Sequence, residues 1–360
     1  MHGCCAPDAG TLVNTTQNYV NAYDGTPQAF AAPNDLSSLM KTYYDTELLE
    51  NARPNLIHAQ FARKQPLPKG RGKKVEWRKF NTLADASALT EGVIPTGQKF
   101  GQSSMTASIL QYGTYLTVSD QLELHAIDNV ILGATEELGA SAGTTQDKLV
   151  RDTLAAGQTV QYCDKVSTAG AHTAVDTRAG MDTTSKLTPT EVNKAVTTLK
   201  KLKAPTINGK YVAIIHPSVS YDLRENKEWI EAHKYAAVTP LFTGEIGELH
   251  GVRFIETTEA KIWNNNTCPV KTAAGTGGTP AATYYSVYST LFLGKDAFGM
   301  IDPEGGGLEM IVKSKEQAGG PLNQFSTLGY KFSTATKILY QDRMVRVESL
   351  SEYSGTDEAN

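Results

Sequence analysis

At 360 residues, with 34 lysines and arginines against 38 aspartates and glutamates, the chain carries a formal net charge of −4. Binding to phosphates regardless of sequence needs a surplus of cations, so this balance excludes a global drive toward nucleic acid or anionic membrane and leaves only local patches for such roles. With 40% hydrophobic residues the chain can bury a substantial core, yet no run approaches the roughly 18 consecutive apolar residues of a spanning helix.

Residues 1–35 are rich in Asn, Thr, Ala, Gly and Pro without periodicity and read as an extended arm. Its start, MHGCCAPDAG, lacks both a charged opening and an apolar core, so a chain retained in the cytoplasm is expected. Asn34 or Asp35 can cap a helix that carries Leu36, Leu39, Met40 and Tyr43 on one face and stops before Arg53-Pro54. Residues 66–80, PLPKGRGKKVEWRKF, then set Lys69, Arg71, Lys73, Lys74, Arg78 and Lys79 against one acid, Glu76. A turn at Lys69-Gly70-Arg71-Gly72 feeds a strand with Val75 and Trp77 on one face and Glu76 and Arg78 on the other. A solvated basic hairpin is the plain interpretation of such a run. Residues 66–118 as a whole form an excursion of strands and turns with little apolar content at its tip, a segment that either stays mobile or lies on a neighbour.

Asp128 opens the longest helical candidate, with Ile127 and Leu132 placed as a hydrophobic staple. Ile127, Ile131, Ala134, Leu138, Ala142, Leu149 and Leu154 recur at helical spacing. Running to about residue 156, it would be roughly 43 Å long; the alternative is two shorter helices broken near Gly143. Thr188-Pro189-Thr190-Glu191 is a capping box with proline at the first helical position, ahead of an apolar face of Val192, Ala195, Val196, Leu199 and Leu202. Residues 211–215 make a buried strand, and His216-Pro217 starts a helix through Leu223. Strands are expected at 252–256, 284–293 and 308–313 and throughout 328–350, and the tail SEYSGTDEAN reads as acidic and loose.

The chemistry-bearing motifs fail one by one. A phosphate loop needs a glycine where Leu67 stands and a hydroxyl where Lys74 stands, and an RNA-binding strand needs aromatics where Arg71 and Lys73 stand. Cys4, Cys5, Cys163 and Cys268 form no C-x-x-C pair or zinc spacing, and read as free thiols, although His2 beside Cys4 and Cys5 could catch a metal adventitiously. His216 follows a strand without an identifiable nucleophile or carboxylate partner, and Asp120, Glu123 and Asp128 fit helix-start charge preference as well as a metal cluster. Residues 275–280, GTGGTP, read as a surface loop. No catalytic, cofactor or metal residue is therefore assigned.

Seven segments in order, LPKGRGKKVEWRKF, LTEGVIPTG, QYGTYLTVSDQLEL, RDTLAAGQTVQY, GKYVAIIHPSVSYDLR, GEIGELHGVRFIET and GPLNQFSTLGYKF, resemble the tailed-bacteriophage major capsid proteins of the branch typified by phage N four, which share the Hong Kong 97-type fold. The resemblance covers most of residues 36–350. It implies an α+β chain divided into an amino-terminal arm (1–35), an N-terminal helix region (36–65), an extended loop (66–104), a peripheral domain with a long spine helix (105–187), an axial domain (188–300), peripheral carboxy-terminal strands (301–350) and a tail (351–360). It further implies an icosahedral shell of hexamers and pentamers around double-stranded DNA bound without sequence specificity, with scaffolding and portal proteins as partners, decoration proteins as a further candidate, and neither membrane nor cofactor. The extended loop would lie on an adjacent subunit through Lys69, Arg71, Lys73, Lys74, Trp77, Arg78 and Lys79. Two competing readings are an encapsulin-like nanocompartment shell, which encloses enzymes, and a cytosolic enzyme, which predicts a small discrete oligomer.

Overall fold

The computed structural model describes residues 48, 56–70, 72–80, 83, 85–86, 88, 91–92, 94, 97–125, 130–167, 170–233, 245–272, 283–318 and 322–360. The arm at 1–35, the helix expected from residue 36 apart from the helical and buried Leu48, the helix start at Ile127 and Asp128, and the glycine tract at 275–280 lie outside them. In chain order the first half carries β1 (Arg63–Leu67), β2 (Lys74–Phe80), β3 (Gln102–Ser108), β4 (Leu110–Ser119), α1 (Asp120–His125), α2 (Val130–Ala155) and β5 (Val160–Tyr162). The second half carries α3 (Pro189–Lys201), β6 (Tyr211–Ile215), α4 (Pro217–Glu225), α5 (Lys227–His233), β7 (Glu245–Leu249), β8 (Val252–Glu256) and β9 (Ile262–Trp263). It closes with β10 (Val287–Leu293), β11 (Phe298–Pro303), β12 (Glu309–Lys313), β13 (Phe325–Ile338) and β14 (Met344–Ser349).

Every residue of β6 is buried, because the strand lies inside a seven-stranded sheet of order β5-β14-β10-β6-β8-β7, with β9 paired to β10. The two-residue period of a strand sends Tyr211, Ala213 and Ile215 to one face and Val212 and Ile214 to the other. The first face meets Val192, Val196 and Leu199 of α3, Val219 and Leu223 of α4 and Trp229 of α5. The second packs on Val150 and Leu154 of α2. β6 and β8 run parallel, and α4 and α5 lie in the crossover between them, as parallel strands require.

A five-stranded sheet of order β1-β11-β13-β12 has β4 along the other side of β13. β4 and β13 are matched from Ser119 and Phe325 to Leu110 and Thr334. Leu328, Tyr330 and Phe332 of β13 face Leu138 and Ala142 of α2. α2 thus serves both cores, its first half under the smaller sheet and its second half under the larger.

It is one unbroken helix of 26 residues, about 39 Å long at 1.5 Å per residue. The break near Gly143 does not occur. Burial of Leu138 and Ala142 before Gly143 and of Val150 after it supplies the packing that propensity lacks.

The segment before β1 is fastened to this helix by one carboxylate. Asp147 Oδ1 accepts the His58 backbone N–H at 2.7 Å and its Oδ2 lies 2.6 Å from His58 Nδ1, both side chains being fully buried.

Three expectations are corrected. The capping box does not close, although α3 starts at Pro189: the Thr188 hydroxyl makes no cap bond. Glu191 accepts instead from Gln161 Nε2 at 2.9 Å and from Lys194 at 2.8 Å. The tail is tied down rather than loose. The Asp357 carbonyl accepts from Ser286 Oγ at 2.6 Å and from Asn264 Nδ2 at 3.1 Å, and its Oδ2 accepts from Tyr288 at 2.6 Å. Finally, β14, grouped in advance with the peripheral strands, pairs with β10 in the larger sheet, where Val345 and Val347 complete the face under α3.

Candidate assembly interface

β2 and β3 form an antiparallel hairpin in register from Lys74 opposite Ser108 to Phe80 opposite Gln102. The alternation read from the sequence holds: Val75 and Trp77 are buried and Glu76 and Arg78 exposed. The buried face joins Ala107 of β3 to Ile301 and Leu339 of the smaller sheet. Trp77 reaches that sheet because residue 299 is glycine; a Cβ there would stand 3.2 Å from the indole ring and 3.1 Å from Leu339. Its ring is thereby part of the chain's own core, the anchor of the hairpin rather than a surface offered outward.

The cations sit near that anchor. Ile109 N–H donates to the Lys73 carbonyl at 2.9 Å, so Lys73 and Lys74 stand at the root of the hairpin, exposed and without an ion pair among the described residues. Lys69 is held by its backbone N–H to Glu304, 3.4 Å away, with its side chain over Gly305. Arg78 makes a 3.5 Å contact with Glu76 on the open face. Lys79 lies 4.8 Å above the Tyr340 ring and 3.8 Å from Asp342. Arg71 lies outside the described residues.

The opposite end of the hairpin, read from the sequence as having little apolar content, exposes several large apolar side chains. Phe80 and Phe100 stack on each other at 4.8 Å, yet they remain 57% and 65% exposed, and Ile94 is 94% exposed. Leu83 is exposed as well. Large apolar side chains left in water beyond a firmly seated root have the composition of a contact waiting for a partner. The signal in the sequence was their placement: Phe80, Leu83, Ile94 and Phe100 are spread through a mostly polar stretch that has no core of its own to receive them.

Other polar clusters resolve into structural ties. His216 caps α4, its Nδ1 accepting from the Ser218 N–H at 3.2 Å, and burial pushes its pKa below the ordinary value despite nearby Asp357 and Glu256. Burial and the Asp357 contact push the Tyr288 hydroxyl well above the usual phenol range. Asp164, His172 and Glu191 bring ligand atoms within 4.8 Å of one another. The Lys194 ammonium already sits between the two carboxylates, hydrogen-bonded to Asp164 and 2.8 Å from Glu191, so the chain supplies its own neutralising cation. Asp120 bonds the N–H of Gln121 at the start of α1, whereas the side chains of Glu123 and Asp128 lie outside the described residues. Cys163 and Cys268 are free and buried, and burial raises both thiols; Cys4 and Cys5 lie outside the described residues.

No curated protein matches the chain. Solved structures do. The capsid of Ralstonia phage GP4 superposes with a TM-score of 0.60 at 12% identity, covering 94% of this chain and 99% of that one. The capsid of cyanophage P-SCSP1u gives 0.55 at 16% identity over 94% and 100%, and that of Helicobacter pylori bacteriophage KHP30 gives 0.55 at 10% identity over 94% and 100%. A family model described as phage capsid protein matches residues 131–318, just over half of the chain. The mixed helix-and-sheet architecture is the Hong Kong 97-type fold, and the chain belongs to the phage capsid protein family.

Proposed function

We propose that this major capsid protein builds an icosahedral shell of hexamers and pentamers around double-stranded DNA, with residues 66–104 strapped over the adjacent copy. The observation that carries the strap is the contrast along one hairpin, a root sealed by Trp77 and a far end that leaves Phe80, Phe100 and Ile94 in water. On this reading the apolar end seats on a neighbour while Lys73 and Lys74 pair with its acidic groups, weak contacts that gain avidity by repetition in a closed lattice.

The seven-stranded sheet with α3, α4 and α5 corresponds to the axial domain, chiefly residues 188–300 with β5 and β14 added. α2 and the five-stranded sheet correspond to the peripheral domain, and residues 1–35 to the arm. Scaffolding and portal proteins, and decoration proteins if the virion carries them, complete the partner set, with assembly in the host cytoplasm. The chain has a structural role and turns over no substrate. Its net charge of −4 suits a wall that confines DNA without gripping it.

Expression of the chain with its assembly helpers, followed by electron microscopy, tests the reading. Large closed particles are expected. Lys73→Glu with Lys74→Glu, and separately Phe80→Ser with Phe100→Ser, should reduce particle yield while leaving the melting curve of the unassembled subunit unchanged. Normal yield from both pairs would remove the strap.

A further inference from the structure

On the face of the seven-stranded sheet that meets the helices, α3 packs at the β14 side and α5 at the β7 side. In the order β5-β14-β10-β6-β8-β7 these lie toward opposite margins. The two margins carry opposite charge, and each frames one exposed apolar side chain. At the end of α3, Leu202 is 41% exposed among Lys200, Lys201 and Lys203. The helix stops there because Lys203 takes a positive φ of 55°, and the Leu202 and Lys203 N–H groups close the last turn on Thr198 and Lys200. At α5, Ile230 is 53% exposed between Glu228 and Glu231, with Glu225 at the end of α4 just before them.

Among the described residues none of the three lysines has an ion-pair partner, nor has Glu225 or Glu231, and Glu228 comes only within 4.0 Å of His250. Arg224 is turned to Glu256 at 2.8 Å, and exposed Lys227 leaves the acidic margin, among the described residues, with a surplus of negative charge.

We infer that these margins are the two halves of one contact between copies: Leu202 with its three lysines docks on Ile230 with its glutamates in the next subunit. The inference rests on the shell reading above and adds the surfaces that join neighbours around a ring. A patch that fits a different patch on an identical molecule makes a head-to-tail contact, and such contacts make a ring where the rotation from copy to copy closes. An apolar centre in a charged rim of matching sign is the composition such a contact needs: the rim sets partner and register, the centre excludes water. A nucleic acid could use the lysines, but it offers nothing to Ile230 and its glutamates.

Three chains expressed in parallel test this: Lys200→Glu, Lys201→Glu, Lys203→Glu; Glu225→Lys, Glu228→Lys, Glu231→Lys; and both sets together. Each set alone should lower the yield of closed particles by about tenfold or more, and the combined chain, with its charges exchanged but complementary, should return to within about twofold of wild type. A second measurement does not depend on charge. Leu202→Cys with Ile230→Cys in an otherwise unaltered chain should give a ladder of disulfide-linked subunits on mild oxidation, absent from either single variant.

Wild-type particles without recovery in the combined chain, or without the ladder, overturn this contact and leave the shell reading standing. So does loss of nucleic-acid binding in the lysine set with no effect of the glutamate set, which would assign the lysines to a polyanion. Absence of particles from the wild-type chain fails both.

Discussion

Replacing Asp147 by alanine removes both acceptors that hold the His58 segment to the middle of α2. The carboxylate takes the backbone N–H at 2.7 Å and faces Nδ1 at 2.6 Å, and neither residue is accessible to solvent. Its loss strands a peptide N–H and a ring nitrogen in a site that water does not reach. A buried polar group left without its partner costs about 1–3 kcal/mol, and two are stranded here, so Asp147→Ala should lower stability by about 2–5 kcal/mol. Asp147→Asn keeps the shape and one acceptor for the peptide N–H, and should cost about 1–2 kcal/mol. Urea unfolding of the unassembled subunit reads both from the shift in midpoint at constant slope. Because His58 lies just ahead of β1 and the hairpin, the alanine variant should also assemble poorly under conditions where it is still folded. A loss below about 1 kcal/mol for alanine, within the range of ordinary surface changes, would refute the reasoning.

Proline at Leu138 should collapse α2 at a cost above about 3 kcal/mol, since the residue is 3% exposed beneath β13; an unchanged melting curve would remove that helix. Gly299→Val should push Trp77 from its seat at a cost of about 1–3 kcal/mol and expose residues 80–100 to proteolysis, which a digestion time course measures. Asp357 gives an acid-dependent outcome. Burial raises its pKa, but hydrogen bonds from Ser354 and Tyr288 and the charge of His216 outweigh that and hold it below the ordinary value. A carboxylate lowered in this way stabilises above its unfolded pKa and loses that contribution as pH falls through the folded one. Hydrogen-exchange protection factors in β9 and β10, taken relative to the intrinsic rate at each pH, should therefore fall below about pH 4 in the wild type, and Asp357→Asn should abolish that step.

What the sequence disclosed was local and periodic. The alternation at Val75 and Trp77, the spacing of Leu138 and Ala142, and the unbroken apolar run of residues 211–215 each follow from a side chain's position within its own element, so they could be read without a fold. What it concealed depends on partners far along the chain. Glu191 has the spacing of a cap, but Gln161, 30 positions earlier, claims its carboxylate. The tail is short and polar, yet its acceptors meet donors on Asn264, Ser286 and Tyr288, and no pattern within ten residues announces that. The same holds for the hairpin: which end is root and which is tip follows from the packing of Trp77 against Gly299, more than 200 positions away, and only with that in place do Phe80 and Phe100 become the outward end.

α2 is sunk into two separate cores along its length. A push on the smaller sheet, where the hairpin is rooted, bears on this beam at Leu138 and Ala142 and is carried to Val150 and Leu154 beneath the larger one, about 18 Å further along. Neither slab can pivot alone without bending the rod that pins them, and deformation of the subunit is channelled into movements the two slabs make in concert.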